Sequence, residues 1–233
     1  TVRKAFWDVV SKNFEADKYD QMIVLLGDLK TMIVELVPNA KDIVNEMNEV
    51  IDIELLTQMI SSGLLNDQAI AAQHLLDSEQ AKKILILDLD VHQGNGTAVI
   101  FKDNSRVFTC SVHGAKNYPF RKEKSDWDLP LEDQCSDATY IHELKTLLPE
   151  LFEKVQPDFV FYLCGVDVLG TDKLGRLGLS IEGCKHRDEL VLSFCKTNGI
   201  PVQCSMGGGY SKEMKIIIEA HANTYRLAQE LYF

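Results

Sequence analysis

The sequence predicts an α/β protein, a parallel sheet covered by helices on both faces, preceded by an all-α segment. Three observations carry this. From residue 65 onward, short apolar runs of strand length alternate with amphipathic stretches of helical length, the order that parallel strands joined by crossover helices require. Before residue 65 the apolar residues keep helical spacing and no strand signal occurs. Several strand-like runs also end in carboxylates, an imidazole or glycines, as the carboxyl ends of strands do when ligands gather there.

Within residues 1–64, Phe6, Val9, Val10 and Phe14 keep helical spacing, and so do Met22, Leu25, Leu26, Leu29, Met32, Ile33, Leu36 and Val37. Pro38-Asn39-Ala40 breaks the pattern, and Ile43, Val44, Met47, Val50 and Ile51 start another amphipathic helix. The stretch Asp52 to Gly63 reads as a helix and its glycine stop. Eleven acidic residues against six basic ones in this segment read as solvated helix faces. Further on, the pattern predicts a helix over 67–79, strands near 83–89, 106–112, 158–164 and 200–205, and helices near 136–155, 181–197 and 211–231. The charged and aromatic stretch from His113 to Gln134 reads either as the rim of a channel or as a surface excursion.

At 233 residues the chain is long enough to bury a proper core. A formal net charge of -11 argues against direct binding of nucleic-acid phosphate, which calls for a basic face. It leaves room for a basic partner, although an acidic surface first of all keeps a protein soluble. No apolar run reaches membrane-spanning length, and Thr1-Val2-Arg3-Lys4-Ala5-Phe6-Trp7-Asp8 lacks the apolar core of a signal peptide. The expectation is a cytoplasmic or nuclear protein without a membrane partner. The six cysteines all lie in the second half with no Cys-x-x-Cys, which predicts buried reduced thiols.

The chemistry is concentrated in Ile84-Leu85-Ile86-Leu87-Asp88-Leu89-Asp90-Val91-His92-Gln93-Gly94. Side chains two apart on a strand share a face, so Asp88, Asp90 and His92 converge where the strand opens into a glycine-bearing loop. A second apolar run, Asp158 to Cys164, leads through Gly165-Val166 to Asp167. One imidazole and two carboxylates with an open position suit a catalytic divalent metal.

These strand ends, with Ser205-Met206-Gly207-Gly208-Gly209-Tyr210, resemble the zinc-dependent histone deacetylase and acetylpolyamine amidohydrolase superfamily, whose three-layer α/β/α fold is of the arginase/deacetylase type. The resemblance spans about Leu65 to Phe233. It includes Asn66-Asp67 opening a helix, Ser111-Val112-His113-Gly114, Asn117-Tyr118-Pro119-Phe120 and Leu174-Gly175-Arg176-Leu177-Gly178-Leu179-Ser180. It implies that Asp90, His92 and Asp167 bind Zn2+ or another divalent metal, and that Tyr210 donates a hydrogen bond to the oxyanion of the reaction. It also implies a structural K+ site formed by Asp88, the hydroxyl of Ser111 and the backbone carbonyls of Asp90, His92 and Val112. The implied reaction is hydrolysis of acetyl-lysine or of an acetylated small amine by metal-activated water.

The same resemblance marks a gap. Enzymes of this family place an adjacent His-His pair shortly before the Asn-Asp of the helix, and that pair performs the general acid and base work. This sequence has no histidine before His74 and no adjacent histidines. The implied domain lacks its first strands, the pair and the acidic loop residue that holds the substrate backbone. Asn95 stands where some relatives carry an aspartate that pairs with one of those histidines. His113 is the nearest remaining imidazole by motif, and the family uses it structurally. The remaining histidines, His74, His142, His186 and His221, fall on predicted helices as solvated or packed side chains.

Residues 1–64 resemble the start of the t-complex protein 11 family, through Lys4-Ala5-Phe6-Trp7-Asp8, Leu36-Val37-Pro38 and Glu49 to Leu56. The expected organisation is therefore a helical segment, 1–64, available to a protein partner, and a deacetylase-like domain, 65–233. The expected function is an impaired deacetylase, with a metal-binding pseudo-enzyme and a helical interaction or regulatory protein as alternatives. If the strand near 83–89 has lost its usual neighbours, its open edge needs a cover, and the helices of 1–64 are expected to supply it.

Overall fold

In the computed structural model the strand Ile84–Asp88 (β1) is buried along its whole length, because parallel ladders flank it on both sides. The structure describes residues 66–233, so the helices expected in 1–64 and the cover expected from them lie outside the described residues. On one side of β1 runs β2 (Val107–Gly114) and beyond it β3 (Trp127–Leu131). On the other run β4 (Phe159–Leu163) and β5 (Val202–Ser205), giving the order β3-β2-β1-β4-β5 with every pair parallel. The open edge expected at β1 is therefore not there. The edges among the described residues are β3 and β5, since β2 and β4, both later in the chain, take the two sides of β1.

Alternation along β1 assigns the two faces. Ile84 and Ile86 pack with Ala69, Ala72 and Leu76 of α1 (Asp67–Asp77) and with Phe101 of α2 (Asn95–Phe101). Leu85 and Leu87 face the larger core, which is built on α3 (Asp137–Val155), α4 (Ile181–Thr197) and α5 (Met214–Tyr232). The result is the three-layer α/β/α arrangement that the sequence predicted.

Helix starts follow the capping chemistry of the sequence. The side chains of Asn66, Ser136 and Ser180 accept the backbone N–H groups of Ala69, Thr139 and Gly183, answering donors that a first turn leaves unpaired. Five of the six cysteines are buried and Cys204 is half-buried, all as free thiols.

Two elements escape the sequence pattern. The first, α2, is capped by Gly94 and opens on Asn95 and Gly96, residues that signal a loop, before its apolar turn begins. The second, β3, contains Pro130, which argues against a strand interior but is tolerated on an edge such as this one. The stretch His113 to Gln134 is thus a loop with an edge strand inside it. It carries a cis Tyr118–Pro119 bond and an almost fully exposed Phe120.

The end of α3 offers a test of both packing and backbone terms. Gln156 closes this helix at φ 48°, left-handed backbone that costs a side-chain-bearing residue about 1 kcal/mol or more. Gln156→Gly is expected to raise the unfolding free energy by about 0.5–1 kcal/mol, net of the entropy that glycine adds to the unfolded chain. Leu151→Ala, at a fully buried position of the same helix, is expected to lower it by about 2–5 kcal/mol. Chemical denaturation of the three proteins measures both.

Candidate metal centre

β1 and β4 run parallel in register, with Asp88 opposite Leu163, and the ladder makes a further bond from Leu89 N to Leu163 O. Beyond it the two chains open, and Asp90, His92 and Asp167 meet in the opening. One ligand atom from each lies within 4.8 Å of the other two. His92 Nδ1 sits 3.1 Å from Asp90 Oδ1 and 3.2 Å from Asp167 Oδ2. A tetrahedral metal with ligand bonds of about 2.0–2.1 Å separates its ligand atoms by roughly 3.3 Å, so the spacing suits such an ion.

Backbone amides fix both carboxylates. Asp90 Oδ1 accepts from His92 N at 2.9 Å, and Asp167 Oδ1 accepts from Val91 N at 3.0 Å, which ties β4's carboxylate to β1's loop. The other oxygen of Asp167 is buried and receives no hydrogen bond, because the single Nδ1–H of His92 is aligned on Asp90. A carboxylate oxygen left bare in a buried place is costly, and a cation in the opening answers it. The residues present therefore fit a divalent metal.

Titration follows the same electrostatics. His92 is pushed up to about 10 by the two carboxylates beside it, Asp167 first and Asp90 second. Asp167 is pushed up to about 6, by burial first and by the Asp90 charge second. Burial and the Asp90 charge also hold the Asp88 carboxyl well above its ordinary value. Three carboxyls, those of Asp88, Asp90 and Asp167, thus crowd around the imidazole, where positive charge is favoured.

Glycines create the room. A Cβ on Gly165 would lie 2.4 Å from Asp90 Oδ2, and one on Gly208 would lie 2.1 Å from Asp167 Oδ2. Gly208 also holds φ +45° and Gly209 φ +128°, so the turn before Tyr210 needs glycine for backbone reasons as well. Tyr210 follows this turn and is 57% exposed, and its backbone N–H donates to Asp172 Oδ2 at 2.5 Å. Asp172 was not singled out from the sequence. Its other oxygen accepts from Leu174 N and Gly175 N, an Asx turn for which Asp172-Lys173-Leu174-Gly175 was a legible signal.

The other expected residues divide. Asp88 is buried and lies opposite Ser111 in the β1–β2 ladder, and its Oδ1 accepts from Asp90 N at 3.0 Å. These are two of the groups expected at the monovalent-cation site. Ser111 Oγ pairs with His113 Nδ1 at 3.1 Å, and burial lowers the pKa of His113, which suits a neutral structural histidine. Asn95 opens α2. His74, His142 and His186 lie on α1, α3 and α4. His221 of α5 behaves differently, since its Nε2 approaches Gly208 O at 3.3 Å and so touches the glycine turn.

With this fold and geometry the comparisons agree. The histone deacetylase domain profile matches residues 63–225, and the chain belongs to that family. A t-complex protein 11 profile matches residues 1–75, overlapping the first match across most of α1. Among curated relatives, an uncharacterised protein of Picosynechococcus sp. is 44% identical over 72% of this chain and 56% of its own length. Histone deacetylase 2 of Arabidopsis thaliana is 33% identical over 58% of this chain and 36% of its own. Among solved structures, the acetylpolyamine aminohydrolase of Burkholderia pseudomallei superposes with a TM-score of 0.61 at 23% identity, over 72% of this chain and 50% of that one. The histone deacetylase Clr3 gives 0.62 at 21%, over 72% and 31%. The chain thus spans between 36% and 56% of the two curated relatives, and the solved structures establish the fold.

Gly208→Ala tests the crowding at the turn. The added methyl meets Asp167 Oδ2, and the positive φ adds strain of about 1–3 kcal/mol. The variant is expected to lose at least that much stability in chemical denaturation, whereas Gly199→Ala, also at positive φ but with open space around its Cβ, is expected to lose only the backbone part.

Proposed function

We propose that this chain is a zinc-binding member of the deacetylase family whose own hydrolysis of acetyl-amides is weak or absent. The observation that supports the binding half is the convergence of Asp90, His92 and Asp167 around a buried carboxylate oxygen that receives no hydrogen bond. Asp90, His92 Nδ1 and Asp167 hold the ion. When bound, zinc supplies Lewis acidity toward an amide carbonyl and toward water. The Tyr210 hydroxyl donates a hydrogen bond to the developing oxyanion, a contribution of roughly 2.7–4 kcal/mol where such donors have been removed. Asp172 holds the backbone that carries it. Asp88 and the Ser111 hydroxyl, with the backbone carbonyls of Asp90, His92 and Val112, would hold a structural K+.

The substrate class is acetyl-lysine of a protein or an acetylated small amine, and the acidic balance of the chain favours approach of a basic partner. The chain carries no positioned pair for proton transfer, since its six histidines are nowhere adjacent and His113 is committed to Ser111. Loss of general acid and base catalysis costs about 10²- to 10⁴-fold, or roughly 3–5.5 kcal/mol of barrier. A second reading, an interaction protein that works through its N-terminal segment, is favoured by the t-complex protein 11 match over residues 1–75.

Metal analysis tests the first half: about one zinc per chain is expected in the wild type and none above background in Asp167→Ala. Equal zinc in both, after removal of surface-bound metal, overturns the ligand assignment. Turnover tests the second half, with an acetyl-lysine peptide and an acetylpolyamine in the presence of zinc. Expected rates lie far below the usual enzyme range of about 1–10³ s⁻¹. A rate inside that range, abolished by Tyr210→Phe, shows that another group in the chain serves as base.

A further inference from the structure

Arg187 plays no part in the function proposed above, yet it heads the largest fully buried side chains among the described residues. A guanidinium with no exposure is costly unless its charge and its donors are answered. Half of the answer is its neighbour on α4. Arg187 Nε donates to Asp188 Oδ1 at 2.8 Å, with Nη2 at 2.8 Å from the same oxygen as an ion-pair contact without a hydrogen bond; Oδ1 also accepts from Tyr162 OH at 2.5 Å, and Thr224 Oγ1 donates to Asp188 Oδ2 at 2.6 Å. The carboxylate is thus pinned by β4 and α5, and it fixes the plane of the guanidinium.

The remaining nitrogen points elsewhere. Arg187 Nη1 donates to Leu89 O at 3.2 Å and to Gly165 O at 2.7 Å. Leu89 directly precedes Asp90, and Gly165 precedes Asp167 by two residues. These carbonyls stand where the β1–β4 ladder has run out and the chains open around the metal cluster. One nitrogen therefore ties together the main chains that deliver both carboxylates. Gly165 is also the residue whose absent Cβ leaves room for Asp90 Oδ2 and Asp167 Oδ1.

We propose that Arg187 is a positioning residue of the metal centre: clamped by Asp188, Tyr162 and Thr224, it holds the strand ends of Asp90 and Asp167 at the separation that a zinc ion needs. The inference rests on reading Asp90, His92 and Asp167 as metal ligands. Lysine cannot replace it fully, because one ammonium cannot serve the carboxylate and both carbonyls across the span of a planar fork.

The test is the zinc dissociation constant, read by competition with a chromophoric chelator, together with the Co2+ absorption spectrum as a report on ligand geometry. Arg187→Met alone strands the Asp188 charge and risks unfolding, so it is paired with Asp188→Asn, which removes both charges and keeps an acceptor for the hydroxyls. The double variant is expected to fold cooperatively, to bind zinc about 10- to 100-fold more weakly, and to show an altered Co2+ spectrum. Arg187→Lys is expected to fall between it and the wild type. Leu151→Ala, which lowers stability without touching the clamp, is expected to keep wild-type affinity and spectrum. A folded double variant with wild-type affinity and spectrum overturns the proposal. Should it fail to fold, Tyr162→Phe decides: it loses one hydrogen bond to Asp188, and unchanged zinc affinity and Co2+ spectrum there overturn the proposal equally. A wild-type chain that binds no zinc overturns the metal reading itself and takes this inference with it.

Discussion

Everything in the candidate site depends on β1 and β4 lying side by side, parallel and in register. That pairing brings the ends of two strands, 75 residues apart at Asp88 and Leu163, to the same level of the sheet. Only then does a carboxylate two residues beyond one strand share space with a carboxylate four residues beyond the other. Parallel strands need a crossover, and here α2, β2, β3 and α3 supply it. The long separation in sequence is thus a requirement of the geometry. It also explains why the hydrogen bond from Val91 N to Asp167 Oδ1 matters, since it links the loops beyond the ladder where no strand pairing remains.

Two opposing demands meet at that point. Carboxylates brought together in a buried place repel, which shows in the raised pKa of Asp88 and Asp167 and in the upward shift of His92 beside them. The backbone nevertheless has to come close, and glycine at 165 and 208 lets it do so without a methyl group filling the opening. Without a cation the cluster is a destabilising feature of the fold. Marginal stability makes such features rare unless something binds there, which is why the geometry argues for a ligand and not merely for a polar corner.

Much of this was legible in the sequence because it depends on period and order. Alternation predicted one face for Asp88, Asp90 and His92, whereas β1 ends at Asp88 and the cluster joins Asp90 and His92 to Asp167 without it; the apolar run leading to Asp167 did announce the second strand. Periodicity placed helices near 136–155 and 181–197, close to where Ser136 and Ser180 cap them. What escaped depends on neighbours that a sequence does not reveal. Pro130 disguised β3 because an edge position was invisible, and Gly94 and Gly96 disguised α2. The expected open edge of β1 was wrong for a related reason, since strand order is a property of the sheet and not of any one strand. Arg187 was not singled out from the sequence. Its burial follows from where α4 docks, between the carbonyls of Leu89 and Gly165 and the hydroxyls of Tyr162 and Thr224.

Holding a metal and using it place different demands on the chain. Holding it requires β1, β4 and the loops just beyond them, all of which lie within residues 84–210 and are braced by backbone hydrogen bonds. Using it requires proton donors and acceptors aimed at a substrate, and in this family those come from a histidine pair placed ahead of the helix that begins at Asn66. No such pair stands there in this sequence, where Asp52 to Gly63 follows a helical pattern instead. The two capacities therefore rest on different stretches of chain, so affinity for metal and turnover can be lost or kept independently. The N-terminal residues match one family model and the sheet another, so a variant that changes metal affinity need not change turnover, and each has to be measured by itself.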